Sequence, residues 1–164
     1  MVLDQDEILK VSGLLNEQRW AALAVQDHAK PLASMVAFVA DPNAQNILLL
    51  LSELARHTQC LRRSGMASLV ISETDTGIGD PQTLSRLSLT GTISVISRDH
   101  SEFSQCRDKY SQRFPDSKRL FQFGDFHLFR LTPETMRFVA GFGRAYQFTE
   151  PHMGRFWQAI ERSS

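Results

Sequence analysis

The chain has 164 residues, 42% of them apolar, enough for one domain with a proper core and too few for two ordinary ones. Eighteen Lys and Arg balance eighteen Asp and Glu with no long block of like charge, so neither a nucleic-acid arm nor a polybasic membrane anchor is expected. Cys60 and Cys106 lack the spacing of a zinc site or a disulfide framework, and no apolar run approaches the ~20 residues that span a bilayer or opens the chain as a signal, so a soluble, cytoplasmic protein without a membrane partner is expected.

Asp4 followed by Glu7 has the form of a capping box, and Ile8, Val11, Leu14 and Leu15 recur at helical spacing, which predicts an N-terminal helix within residues 1–18. Two apolar runs, WAALAVQD from Trp20 and PLASMVAFVAD from Pro31, are separated by HAK and closed by the turn-rich DPNAQN; they predict two strands of a meander. ILLLLS from Ile47 predicts a third strand, MASLVISE from Met66 a fourth, and RLSLTGTISVIS from Arg86 a long fifth, where Gly91 marks a bulge or a barrel-corner bend. The polar loop TDTGIGDPQT joins the last two.

Beyond Asp99, the spacing of Phe103, Cys106 and Tyr110 predicts a helix that ends before Pro115. FQFGDFHLFRLTP and TMRFVAGFG predict two further strands, and GRFWQAIERSS a short terminal helix. Many short strands, adjacent in sequence and joined by tight turns, favour an antiparallel sheet closed into a barrel over a doubly wound parallel sheet. The organisation expected is one mainly β domain over 1–164, with the barrel at 20–146 and a tail or helix at 147–164.

Residues 47–61, ILLLLSELARHTQCL, pass within a few positions from aliphatic strand to hydroxyls and cations. Leu54, Thr58 and Leu61 can share one face of a short helix after the third strand, which puts Arg56 and His57 near its first turn. A strand end, the Ser52 hydroxyl, a helix N-terminus and two potentially cationic side chains make a candidate phosphate site, because free backbone N–H groups and charge-assisted donors point the same way. The same spacing also fits an ordinary solvated helix start. His28, His100 and His127 have no metal-ligand partner at short spacing, so no metal site is expected, and no triad or carboxylate pair assigns a catalytic residue.

Three segments, LSELARHTQCLRRSGMASLVIS, DPQTLSRLSLTGT and LFRLTPETMRFVAGFGRAY, come in an order and spacing that resemble the FMN-binding split-barrel proteins related to pyridoxamine 5′-phosphate oxidase, over about Trp20 to Tyr146. Within that group the chain is most similar to the branch that includes the haem-utilisation proteins. The resemblance implies an antiparallel split β-barrel of six or seven strands and a homodimer with its cofactor at the interface. It also implies an FMN-dependent oxidoreductase acting on a small-molecule substrate. Arg56 and His57 then stand where the oxidase sets an Arg-Lys pair on the flavin phosphate, with histidine making the charge pH-dependent near neutrality. Thr58 adds a hydroxyl, Ser34 takes the place of a strand arginine, Ser52 completes the phosphate set, and Arg86 lies near the flavin ring, where a cation stabilises the reduced form.

Two other readings stay open. In one, a haem-binding or haem-degrading protein of the same fold, the phosphate site has lapsed and His152 binds iron. In the other, a non-catalytic dimeric binding module has kept the barrel and lost its cofactor. GFGRAY lacks GxGxxG spacing and reads as a turn; it also does not match the oxidase's substrate motif, so pyridoxamine-phosphate oxidation is not expected.

Overall fold

A computed structural model describes residues 3–149 and 152–162. The first helix, α1 (Gln5–Asn16), begins at the capping box: the Glu7 amide donates to Asp4 Oδ1 at 2.8 Å and the Asp4 amide to Glu7 Oε2 at 3.0 Å. Its Val11, Leu14 and Leu15 are buried, as the helical spacing predicts. The helix stops at Asn16, two residues short of Gln18.

Among the described residues eight strands follow, β1 (Trp20–Asp27), β2 (Lys30–Ala37), β3 (Val39–Asp41), β4 (Asn46–Ser52), β5 (Met66–Ser72), β6 (Arg86–Ile96), β7 (Phe126–Val139) and β8 (Ala145–Thr149). They form one antiparallel sheet in the order β2-β1-β5-β6-β7-β4-β3, with β8 also paired to β7. The path ends at β2 and β3, which do not pair with each other, so the barrel stays split along that seam. Helix α2 (Arg56–Ser64) follows β4, α3 (Phe103–Arg113) and α4 (Ser117–Leu120) join β6 to β7, and α5 (Met153–Glu161) closes the chain.

The strand boundaries depart from expectation in three places. The expected second strand is interrupted at Phe38, which is buried between β2 and β3. The two strands expected around Pro133 are one, the 14-residue β7. Proline has no N–H for a ladder, yet Pro133 faces Gly91 where the register slips, and Glu134 is the extra residue of the bulge. Gly91 is required there, since a Cβ would lie 2.0 Å from the Thr132 carbonyl oxygen. Third, β8 occupies a segment expected to be turn and tail.

The aliphatic run of β4 is explained by burial on both faces. Ile47, Leu49 and Leu51 join the barrel core with Phe129, Leu131 and Trp157, while Leu48 and Leu50 pack on Phe103, Tyr110 and Phe121 outside it. GFGRAY is a turn with Gly141 and Gly143 at positive φ, followed by a fastening: the Tyr146 hydroxyl donates to the buried Glu7 carboxylate, and Arg144 Nη1 lies 3.2 Å from the same oxygen. The motif therefore ties α1 to the barrel.

Candidate functional site

Where the barrel is split, a cleft of about 410 Å³ opens between β2 and β4 and is roofed by α3 and α4. Trp20 and Met35, 56% and 48% exposed, give it an apolar wall open to solvent, and Tyr110, Phe114 and Leu120 form the opposite side together with the charged Asp116 and Arg119. Burial pushes the Tyr110 phenol up to about 12, so it remains a neutral hydroxyl at any ordinary pH. Ser52 and His57 line the same cleft. His57 is half-buried, and desolvation lowers its pKa below the usual histidine value. It is therefore mainly the neutral imidazole at pH 7, a hydrogen-bond donor without charge.

The start of α2 is crowded with carboxylates. Arg56 forks onto Asp27, with Nε and Nη2 each 2.9 Å from a carboxylate oxygen, and Arg63 Nη2 reaches the same residue at 3.1 Å. The hydrogen bonds from Arg56 hold the Asp27 carboxyl below the usual carboxylate range. Arg62 Nε donates to Glu53 Oε2 at 2.8 Å, and His127 Nε2 lies 3.3 Å from that oxygen. Ser52 Oγ donates to Asp125 Oδ2 at 2.8 Å. The cap residue of α2, Ala55, offers no side-chain hydrogen bond.

Of the residues expected at the phosphate, only Ser52 and His57 line the cleft. Arg56 turns to Asp27. Thr58 is fully buried on the inner face of α2, with Oγ1 lacking a hydrogen-bond partner, and Leu54, expected on a packed helix face, precedes the helix and is 81% exposed. Ser34 shares the face of β2 that carries Leu32 and Val36, opposite Met35. Arg86 donates to the carbonyls of Gln82 and Leu84, at 3.2 and 3.3 Å. It starts β6, whose other end, Ile96, pairs with Leu128, the partner of Leu50. Ten strand residues, roughly 33 Å, thus separate Arg86 from the Ser52 end of the cleft within one chain.

His152 caps α5 and lines a separate hollow of about 180 Å³, walled by Leu3, Ile8, Phe148 and Phe156 and sharing Arg155. The preceding strand pairs Thr149 with Thr135, nine positions along β7 from Phe126, the partner of Ser52. That is on the order of 30 Å of strand.

The donors at the start of α2 are a poor match for a flavin phosphate. Three carboxylates, Asp27, Glu53 and Asp125, surround the helix start; Asp27 engages Arg56 and Arg63, Glu53 engages Arg62, Asp125 accepts from Ser52, and the His57 imidazole is neutral, which leaves Arg119 as the cleft cation without a described carboxylate partner. An apolar, partly aromatic wall beside a neutral imidazole fits a flat hydrophobic ring with a metal at its centre, since imidazole ligates metals in its neutral form. Its volume lies within the ~300–1,000 Å³ of ligand pockets, and the hollow beside His152 falls below it. Among the described residues no cluster of three or more His, Cys, Asp or Glu can hold a bare metal ion, and no helix is long and apolar enough to cross a membrane. Sequence reasoning missed the wall formed by Trp20 and Met35. Its signal lay in the alternation of WAALAV, which buries Ala21, Leu23 and Val25 and leaves Trp20 outside.

An antiparallel barrel left open between its end strands, with helices over the seam, is a split barrel of the kind found in the pyridoxamine 5′-phosphate oxidase group. A putative pyridoxamine 5′-phosphate oxidase from Listeria innocua superposes with a TM-score of 0.61 at 18% identity, over 82% of this chain and 98% of that one. The family model for the CREG β-barrel matches residues 12–151, and the chain belongs to that family. It is 33% identical over 133 residues to haem oxygenase HutZ of Vibrio cholerae, across 80% of this chain and 74% of HutZ. A haem-binding protein from Mycobacterium smegmatis superposes with a TM-score of 0.80 at 22% identity, covering 96% of this chain, which spans 62% of that one. At these identities the two superpositions speak to the fold alone.

Proposed function

We propose that the chain binds haem instead of FMN, in the cleft at the barrel split, and that it acts in haem breakdown. The observation that carries this reading is the fork of Arg56 onto Asp27, which removes the principal phosphate cation of the flavin-binding relatives and sets a carboxylate in its place. Similarity to a haem oxygenase over most of both chains supports it. The ring lies against Trp20, Met35 and Phe114, which bind it by apolar burial and exclude water.

His152 ligates the iron. Within one chain it is remote from the cleft, so the reading includes a homodimer in which the second copy brings its terminal helix to the ring. When bound, haem supplies the iron at which dioxygen is activated against the ring itself. The chain's own share is to hold the ring, present the ligating imidazole and keep the cleft dry. A second reading assigns the iron to His57, favoured by its place in the cleft and its depressed pKa.

Haemin titration of wild type, His152→Ala and His57→Ala, followed by the Soret band and by sedimentation, tests these assignments. The expected result is a dimer whose coordinated Soret band is lost in His152→Ala and kept in His57→Ala. The reverse pattern selects His57. A band unchanged in both variants overturns histidine ligation at either place.

A further inference from the structure

We propose that a second hollow, on the outer side of the helices that roof the cleft, binds a phosphomonoester. The site is independent of the haem reading. Its volume of about 360 Å³ lies within the ~300–1,000 Å³ of ligand pockets, and it is set between the loop after β6, α3 and α4. Arg98, Arg107 and Lys118 bring one cation from each of these three elements, in a chain whose formal net charge is zero. Asp108 is the carboxylate of the lining, and the neighbouring Arg107 already engages it, with Nη2 2.8 Å from Oδ1. Three cations against one carboxylate leave the hollow two positive charges. Arg98 is held in place without being neutralised: its Nη2 donates to the Phe123 carbonyl at 3.2 Å, and the guanidinium lies over the Phe103 ring, 6.0 Å from the centroid. Lys118 forms no ion pair among the described residues.

Ser111 is the independent sign of a ligand. It is 5% exposed yet lines the hollow, and among the described residues no hydrogen bond engages its hydroxyl. A ligand oxygen there meets a donor that the fold leaves unused. At pH 7 a phosphomonoester carries about −1.5 to −2 charges and three terminal oxygens, which match the two positive charges and the donors of Arg98, Lys118 and Ser111. A carboxylate brings one charge and two oxygens, and leaves a cation unanswered. The buried Phe103 and Phe121 rings meet edge to face at 6.3 Å in the wall of the hollow and give the organic part of the ester an apolar surface. Phe121 also stands 6.2 Å from Tyr110 in the wall of the cleft, so the two cavities lie back to back with no lining residue in common.

The test titrates phenyl phosphate by calorimetry into full-length wild type, Arg98→Ala, Lys118→Ala, Ser111→Ala, Arg119→Ala and Lys10→Ala at fixed ionic strength, with folding of each checked by circular dichroism. Benzoate serves as the same ring with a carboxylate, and inorganic phosphate as the anion alone. Phenyl phosphate should bind wild type at one site per chain, about tenfold more tightly than benzoate, and inorganic phosphate more weakly than the ester. Arg98→Ala and Lys118→Ala should each weaken the ester about tenfold and Ser111→Ala a few-fold, with Arg119→Ala and Lys10→Ala unchanged. Lys118→Ala, at an exposed position, decides the matter should Arg98→Ala not fold. A loss in Arg119→Ala with none in Lys118→Ala places the ester in the cleft and overturns the proposal. Equal losses in every cation variant, Lys10→Ala included, mean general charge attraction and also overturn it. So do benzoate binding as tightly as the ester and the absence of saturable binding at millimolar ester.

Discussion

Replacing Gly91 with alanine should be among the most damaging single-methyl changes in this chain. The added Cβ would lie 2.0 Å from the Thr132 carbonyl oxygen and 2.8 Å from both the Glu134 amide nitrogen and the Pro133 Cα. All three are backbone atoms, so no rotamer change relieves the clash; the β6–β7 ribbon has to open at its bulge. Overpacking of this kind costs about 1–3 kcal/mol, and rigid neighbours place it at the upper end. Against this stands the ~0.4–1 kcal/mol that Gly→Ala ordinarily returns by restricting the unfolded chain. A net loss of about 2 kcal/mol lowers the melting temperature by roughly 4–8 °C for a chain of this size. The assay is thermal unfolding by circular dichroism, with Gly124→Ala as the control, because a Cβ there meets nothing within 4 Å. A Gly91→Ala melting point equal to that of wild type would refute the argument that backbone approach demands glycine at the bend.

Asp27→Asn should release Arg56 and Arg63 and raise the affinity for FMN above that of wild type, measured by quenching of flavin fluorescence; unchanged affinity would show that this carboxylate does not close the site. The pH dependence follows from His57, whose folded pKa is depressed, so the unfolded chain binds the additional proton. Its contribution to stability is full above the unfolded value and is lost as pH falls through the folded one. Urea midpoints should therefore drop below about pH 6.5 in wild type and less steeply in His57→Gln. Tyr110, raised to about 12 by burial, should stay silent in an ultraviolet pH titration until the barrel unfolds in alkali. Its replacement by Phe should cost about 0.5–1.5 kcal/mol, the net worth of the hydrogen bond with the Leu50 backbone.

Local sequence carried most of the fold because the devices that build it are local. The Asp4–Glu7 capping box, the aliphatic run of β4, the bend at Gly91 and the stop before Pro115 each depend on residues close in the chain. Pro133 misled because a ladder-breaking residue is tolerated only opposite a bulge, and that pairing lies 42 positions away. The site was less legible for the same reason. LARHTQ shows where a helix starts beside a cleft, but the partner that neutralises Arg56 is Asp27, 29 positions upstream at the end of β1. Likewise, burial of the imidazole at His57 is created by elements remote in sequence, and no spacing rule reports it. Arg86 read as a neighbour of the flavin ring because motif order preserves sequence and not the length of a strand; β6 carries it to the far end.

Competition between the two candidate cofactors tests the central claim most directly. Protein purified without additions would be equilibrated with equimolar haemin and FMN, passed through a desalting column and read by absorbance. The account predicts a coordinated Soret band with no flavin bands. Retained flavin with no coordinated haem would contradict it, and would return Arg56 to the phosphate in spite of Asp27.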